Sequence, residues 1–229
     1  MHAVRLAPPR GDSARRERGI MTLYQPPNFR VGDRATLIAL MRAHPLATLA
    51  SVAGGEPNFT HLPLEVEEEG DAIRLLGHVA RVNPHWTQWA EGVAVTAIFH
   101  GPGGYVSPRW YSAREAVPTW NYIVVHAAGR IAVTDDSEDK ERILKALIDR
   151  HDADYRRQWD ELGEEFRERM KRGIVGVTIE VERLAGKFKL SQNRPAQDRR
   201  RVLEQMRGGG DAGRALAAWM ARLGIDGTD

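Results

Sequence analysis

The run "TWNYIVVHAAGRIAV" (residues 119–133) constrains the fold most. It is rich in β-branched and aromatic residues and long for a single strand, so it is expected to bend at Gly129 or to divide there into two strands. Shorter runs of the same kind surround it. "LATLASVAGGEPNFTHLPLEV" (46–66) reads as a hairpin turning at Gly54-Gly55. "AIRLLGHV" (72–79), "VAVTAIFHG" (93–101), a short piece at "YVSP" and "IVGVTIEVERLAGKFKL" (174–190) read as further strands. Helical patterns do not alternate with these strands. One lies ahead of them at 33–45, where Asp33 can cap and Pro45 can stop a helix. "DDSEDKERILKALIDRH" (135–151, with Ser137 as the N-cap) and 154–172 interrupt the strands before the last one. The stretches 195–207 and 211–223 follow it, split by three glycines. This order does not suit a doubly wound sheet; it fits an α+β chain built as a small closed or split β-barrel with peripheral helices and a C-terminal helical extension.

Composition excludes several functions. The chain has no cysteine, so disulfides, thiolate metal sites and cysteine nucleophiles are ruled out. No apolar run approaches the ~18 residues of a membrane span, and the first 20 residues lack a secretory signal's apolar core, so a cytoplasmic protein with no membrane partner is expected. The net charge is +2, yet residues 1–20 carry five arginines against Asp12 and Glu17, leaving the remainder slightly acidic. Those residues read as a disordered basic arm that can touch nucleic acid, or as an over-extended start ahead of Met21. His61, His78, His85, His100 and His126 all fall in the β region, but without ligand spacing or close acidic companions, so no metal site is expected. No GxSxG elbow supports a serine hydrolase.

The densest chemistry is in "GHVARVNPHW" (77–86). Asn83 is a favoured N-cap and Pro84 a favoured first helical residue, so a helix is expected to start here. Its unpaired N–H groups, with Arg81 and His85, can hold a phosphate; equally, this can be a capped helix beside a surface arginine. On the long strand, Trp120, Tyr122 and Val124 share one face and Asn121, Ile123 and Val125 the other. The Trp–Tyr face can stack on a planar ring or fill a barrel core. Lys187 and Lys189 share a face, as a solvated edge or an anion contact.

Seven segments occur in order: "LYQPPNF" (23–29), "HPLATL" (44–49), "THLPL" (60–64), "GHVARVNPHW", "YVSPRWY" (105–111), "VPTWNYIVVHAAG" (117–129) and "GKFKLSQNRPAQDR" (186–199). Together they resemble the PaiB-type FMN-binding negative transcriptional regulators over about residues 21–207. The resemblance implies a split-barrel FMN-binding domain over 21–207, with a helical insertion at about 137–172. The basic arm (1–20) and a C-terminal helical tail (208–229) lie outside it. It further implies a homodimer with flavin at the subunit interface, and gene repression. Asn83 and His85, with Arg81 beside them, then fall at the flavin phosphate. His85 stands where many barrel relatives carry Lys or Arg, and a neutral imidazole attracts phosphate less. Thr60, His61, His78 and Ala80 would lie along the ring and ribityl chain. Trp120 and Asn121 would complete the pocket, from the same or the other subunit, with Lys189 a further contact. DNA is a possible partner, through the arm or "RPAQDRRRVLEQMR" (194–207), although no helix-turn-helix is visible; a solvated helix packed on the barrel is the alternative. An FMN-dependent oxidoreductase using NAD(P)H, or a barrel module without cofactor, are the competing readings.

Overall fold

In a computed structural model that describes residues 23–89 and 92–228, the strands and helices follow the expected order. A two-residue strand β1 (Arg30–Val31) leads into α1 (Arg34–Ala43), where the Asp33 carboxylate accepts from the Thr36 N–H at 2.8 Å. Next come β2 (Leu46–Ala53), β3 (Glu56–Pro63), β4 (Glu65–Glu69), β5 (Ala72–Ala80), β6 (Val93–Val106) and β7 (Thr119–Thr134). The helical insertion is α2 (Ser137–His151), α3 (Tyr155–Glu161) and α4 (Glu164–Arg172). β8 (Ile174–Lys189) completes the sheet, and α5 (Ala196–Arg207) and α6 (Asp211–Arg222) follow. The basic arm expected over 1–20 lies outside the described residues.

All strand pairs are antiparallel, in the order β3-β2-β6-β7-β8-β5-β4, with β1 added to β8. The two ends of this order are successive pieces of chain: β3 and β4 are separated only by Leu64. One bent segment therefore pairs with β2 through its first half and with β5 through its second, and the sheet closes into a split barrel. Gly77 permits the closure, because a Cβ there would stand 2.8 Å from the Pro63 carbonyl oxygen and from Leu64 Cδ2. Gly54 and Gly55, with φ of +60° and +85°, make the tight β2–β3 turn.

The long run 119–133 is a single strand at the middle of the sheet. The expected irregularity at Gly129 is real, but it is carried by a register shift against β8, where Glu182 is the extra residue between the Ala128↔Arg183 and Gly129↔Val181 pairs. Similarly, "YVSP" is not a separate strand: β6 runs on through the glycines with a shift between His100 and Gly103. The inner faces of the strands supply Leu49, Phe99, Val125, Ile179 and Phe188, all fully buried. Leu37, Leu40 and Met41 of α1 close one end of this core. The residues after 207 share the core: Leu216 and Met220 are fully buried, and the Trp219 ring stands edge-on to Phe188 with centroids 5.5 Å apart.

Two local expectations change. The N-cap of α2 is Asp136, whose carboxylate accepts from the Glu138 and Asp139 N–H groups, while Ser137 is the first helical residue and its hydroxyl donates to Glu168. And the helix after Asn83 is only a 3₁₀ turn, Pro84–Gln88. Trp86 and Trp89 pack into the core there, and that pull replaces a solvent-facing helix with a short plug.

Candidate functional site: the barrel seam

β3 pairs only with β2, and β5 beyond Leu76 pairs only with β8. Between Thr60–Pro63 and Gly77–Ala80 the barrel is thus unlaced, and two free strand edges face one another. Strand alternation places Thr60 on the inner side of this seam and His61, His78 and Ala80 on its outer side.

The inner side is a closed polar network. The His85 ring is buried, with Nε2 2.7 Å from Ser51 Oγ and Nδ1 2.8 Å from Thr60 Oγ1. Asn83 donates from Nδ2 to Thr60 Oγ1 at 3.1 Å, and its Oδ1 accepts from the His85 N–H at 3.0 Å. A neutral imidazole donates to one of these hydroxyls and accepts from the other, and Thr60 Oγ1 accepts from Asn83 in either tautomer. Burial holds the imidazole pKa below its ordinary value, so the ring is neutral in this network. The Trp89 ring lies 4.6 Å from it. Thr60, Asn83 and His85 therefore come together, joined by Ser51. The signal for Ser51 was its place as a small polar residue on the inward face of an apolar strand.

Arg81 turns elsewhere. Its guanidinium donates to the carbonyls of Arg172 (2.7 Å) and Ile174 (3.0 Å) and to Asp135, tying the end of β5 to the insertion. Asp135 also accepts from the buried Lys140 at 2.7 Å, and these two cations, Lys140 first, hold its pKa below the carboxylate range. On the outer side, His61 Nδ1 lies 3.0 Å from Thr48 Oγ1, and Ala80 is exposed. His78 Nδ1 is buried without a hydrogen-bond partner, and burial lowers that ring's pKa too. Its register partner is Gly176, where a Cβ would touch Ile143 and Lys140 of α2. His78 thus sits between the seam and the insertion.

The remaining candidates are on the β7–β8 end. Trp120 is 58% exposed and edge-on to Tyr105, so it does not fill the barrel core; that task falls to Ile123 and Val125 on the opposite face. Asn121 is fully buried and exchanges hydrogen bonds with Ser191 at 3.1 and 3.2 Å. Lys189 donates to Thr119. Three strand steps separate β7 from β3, about 14 Å at ~4.8 Å per strand. On the other side of the sheet order β7 lies two strands from β5, and β8, which carries Lys189, pairs with β5 through its first half. Three of the basic residues near α5 are engaged: Arg194 stacks on Tyr111 at 4.1 Å, Arg199 donates to the Arg194 carbonyl at 2.9 Å, and Arg200 donates to the Gly227 carbonyl, whereas Arg201 and Arg207 are exposed.

Beside the seam, the outer face of β2, β6 and β7 forms an open groove of 760 Å³ over small side chains, Ala50, Ala94, Thr96 and Ala128 among them. Large apolar side chains stand exposed on the same face: Leu46 (64%), Val52 (67%) and Phe59 (60%). Among the described residues no helix is long and apolar enough to cross a membrane.

Residues 23–183 match the family described as "Putative FMN-binding domain". The chain is also 34% identical over 186 residues to the Protease synthase and sporulation protein PAI 2 of Bacillus subtilis, covering 80% of this chain and 89% of that protein. The chain belongs to the PaiB-type FMN-binding family. A protein of Aspergillus fumigatus without an assigned function is 32% identical over 170 residues, covering 57% of this chain and 64% of that one. Among solved structures, an FAD- and heme-binding protein of Mycobacterium smegmatis superposes with a TM-score of 0.54 at 23% identity, covering 70% and 73% of the two chains. The flavocytochrome Anf3 of Azotobacter vinelandii gives 0.53 at 20%, covering 70% and 69%. At these identities the likeness is one of fold, and it agrees with the split barrel described above.

Proposed function

We propose that this FMN-binding protein is a homodimeric, flavin-dependent negative regulator of transcription, with the flavin seated at the seam and covered by a second subunit. The observation that carries this reading is the outer sheet face: small residues flanked by exposed Leu46, Val52 and Phe59, continuous with the seam through Phe59 and His61 on β3. An apolar face of this kind marks an interface, and a two-fold pairing is the simplest closed one. In this reading the β7–β8 end of one subunit meets the seam of the other, where the exposed Trp120 and Lys189 would reach the same flavin and the buried Asn121 would support them from beneath.

The seam residues fit part of the cofactor. His78 Nδ1 is an unpaired buried atom that a ring edge can satisfy, Ala80 leaves room, and the free strand edges offer backbone donors and acceptors. A bound flavin supplies hydride and electron transfer; the protein supplies orientation and electrostatics. His85 and Asn83 act from beneath by fixing the Thr60 hydroxyl, since their own polar atoms are already used. Arg81 stabilises the junction rather than the phosphate.

The regulatory reading draws support from the extent of the likeness to PAI 2, whose name concerns protease synthesis and sporulation. An oxidoreductase is the second reading, favoured by His61 at the outer mouth of the seam, where an imidazole can donate a proton to a reduced substrate. One experiment separates them. The flavin-loaded protein is assayed for steady NAD(P)H oxidation with acceptor dyes and for a salt-sensitive shift of its own promoter DNA. Sequence-selective DNA retention without turnover is expected; sustained turnover without DNA retention would establish the enzyme instead.

A further inference from the structure

β1 and β8 place two cations directly opposite each other: Arg30 and Lys187 are register partners on the outer face. Like charges in that arrangement repel, and sheets avoid it. No carboxylate relieves the pair, because among the described residues neither side chain has an ion pair or hydrogen bond. Lys189, two residues on and facing the same way, is held among the described residues by the Thr119 hydroxyl alone. Lys187 is only 9% exposed, so most of its side chain is covered. Two rings wall it in: Tyr24 at 5.1 Å and Tyr122 at 5.3 Å from Nζ. The first ring is held over this spot by its neighbour Gln25, whose amide donates to the Gly186 carbonyl at 2.7 Å.

We propose that Arg30, Lys187 and Lys189, walled by Tyr24 and Tyr122, form an anion subsite for the phosphate of a small aromatic ligand. Three cations without a counter-charge select the anion, and the tyrosine rings with exposed Trp120 nearby select a planar body attached to it. Among the described residues the seam offers no free cation for a phosphate, since Arg81 is committed and both ring nitrogens of the buried His85 are bonded. The subsite supplies what the seam lacks. The phosphate has two possible sources: the flavin seated on the partner subunit, or a second, dissociable ligand. The first source rests on the dimer reading and the second does not.

The test uses the flavin-loaded, full-length protein and two variants, Lys187→Met and Arg30→Gln. Melting temperature is measured in inorganic phosphate and in chloride at matched ionic strength, and affinity is measured for FMN and for riboflavin. If the flavin is the source, the preference for FMN over riboflavin falls about tenfold in both variants. If a second ligand is the source, that preference is unchanged, while phosphate raises the melting temperature of the parent protein and neither variant responds. In chloride both variants are at least as stable as the parent, because a like-charge pair has been removed. An FMN preference and a phosphate response both unchanged in Arg30→Gln overturn the proposal, whether or not Lys187→Met folds. A monomer whose phosphate response depends on these residues would sink the dimer reading and keep this one; a flavin-bound dimer indifferent to both substitutions would do the reverse.

Discussion

Two polar clusters in this barrel are opposites. Beneath the seam, Ser51, Thr60, Asn83 and His85 are buried or nearly so, and their side-chain donors and acceptors meet one another. On the outer face, Arg30 and Lys187 stand side by side with no polar partner among the described residues. The first arrangement is what folding requires of polar groups taken from water. The second sets two like charges in register, offset within the chain only by the Tyr24 and Tyr122 rings beside Lys187, and it is the arrangement the proposed anion subsite explains. The contrast separates residues that build the site from residues that use it, although a sequence shows both as polar residues in β segments.

Substitutions sharpen the contrast. The largest effect is expected from His85→Leu, which strands two hydroxyls at the barrel end; about 3 kcal/mol of stability should be lost in urea unfolding. Making Ser51→Ala and Thr60→Val in the same chain should recover part of it, because the two stranded hydroxyls are gone and only the Asn83 amide loses its acceptor. If the triple variant is worse than the single one, the network does more than satisfy itself. Next in size, Val52→Glu with Phe59→Glu should leave the fold intact and shift the dimer to monomer in light scattering, since both side chains are exposed in the single chain. Unaltered assembly would move the interface elsewhere.

The pH dependence is smaller and has a definite sign. His78 and His85 have pKa values lowered from 6.5 by burial, so the folded state refuses protons that the unfolded state accepts. Their contribution is complete above pH 6.5 and is lost as pH falls from there through the folded values. Melting temperature should decline over that range, less steeply in His78→Gln. Arg81→Ala should have the mildest effect, about 1 kcal/mol through lost ties to the insertion, with FMN affinity nearly unchanged. A large drop in FMN affinity in a still-folded Arg81→Ala would return the phosphate to the seam.

Much of the fold was legible because its signals are local. Gly54-Gly55 announced the hairpin, Asp33 the first helix, and Gly129 the irregularity in the long strand. The closure at Leu64 was not, because it depends on one bent segment finding β2 and β5 at once. For the site, "GHVARVNPHW" correctly marked a junction of hydrogen-bonding groups. Their partners were hidden: His85 meets hydroxyls 25 and 34 residues away, and Arg81 meets carbonyls 91 and 93 residues away. A motif gives the donors; only the fold decides whether they face inward or toward a ligand. Lys187 was legible with Lys189 as a shared face that could meet an anion, but its meeting with Arg30 carried no local signal, since it depends on a two-residue strand.

The most direct test of a flavin seated between two subunits is sedimentation velocity recorded at both protein and flavin absorbance. The account predicts that flavin absorbance travels only with a dimer, and that it dissociates together with the dimer on dilution. Flavin travelling with a monomer, or a stable dimer from which added FMN separates, would contradict it.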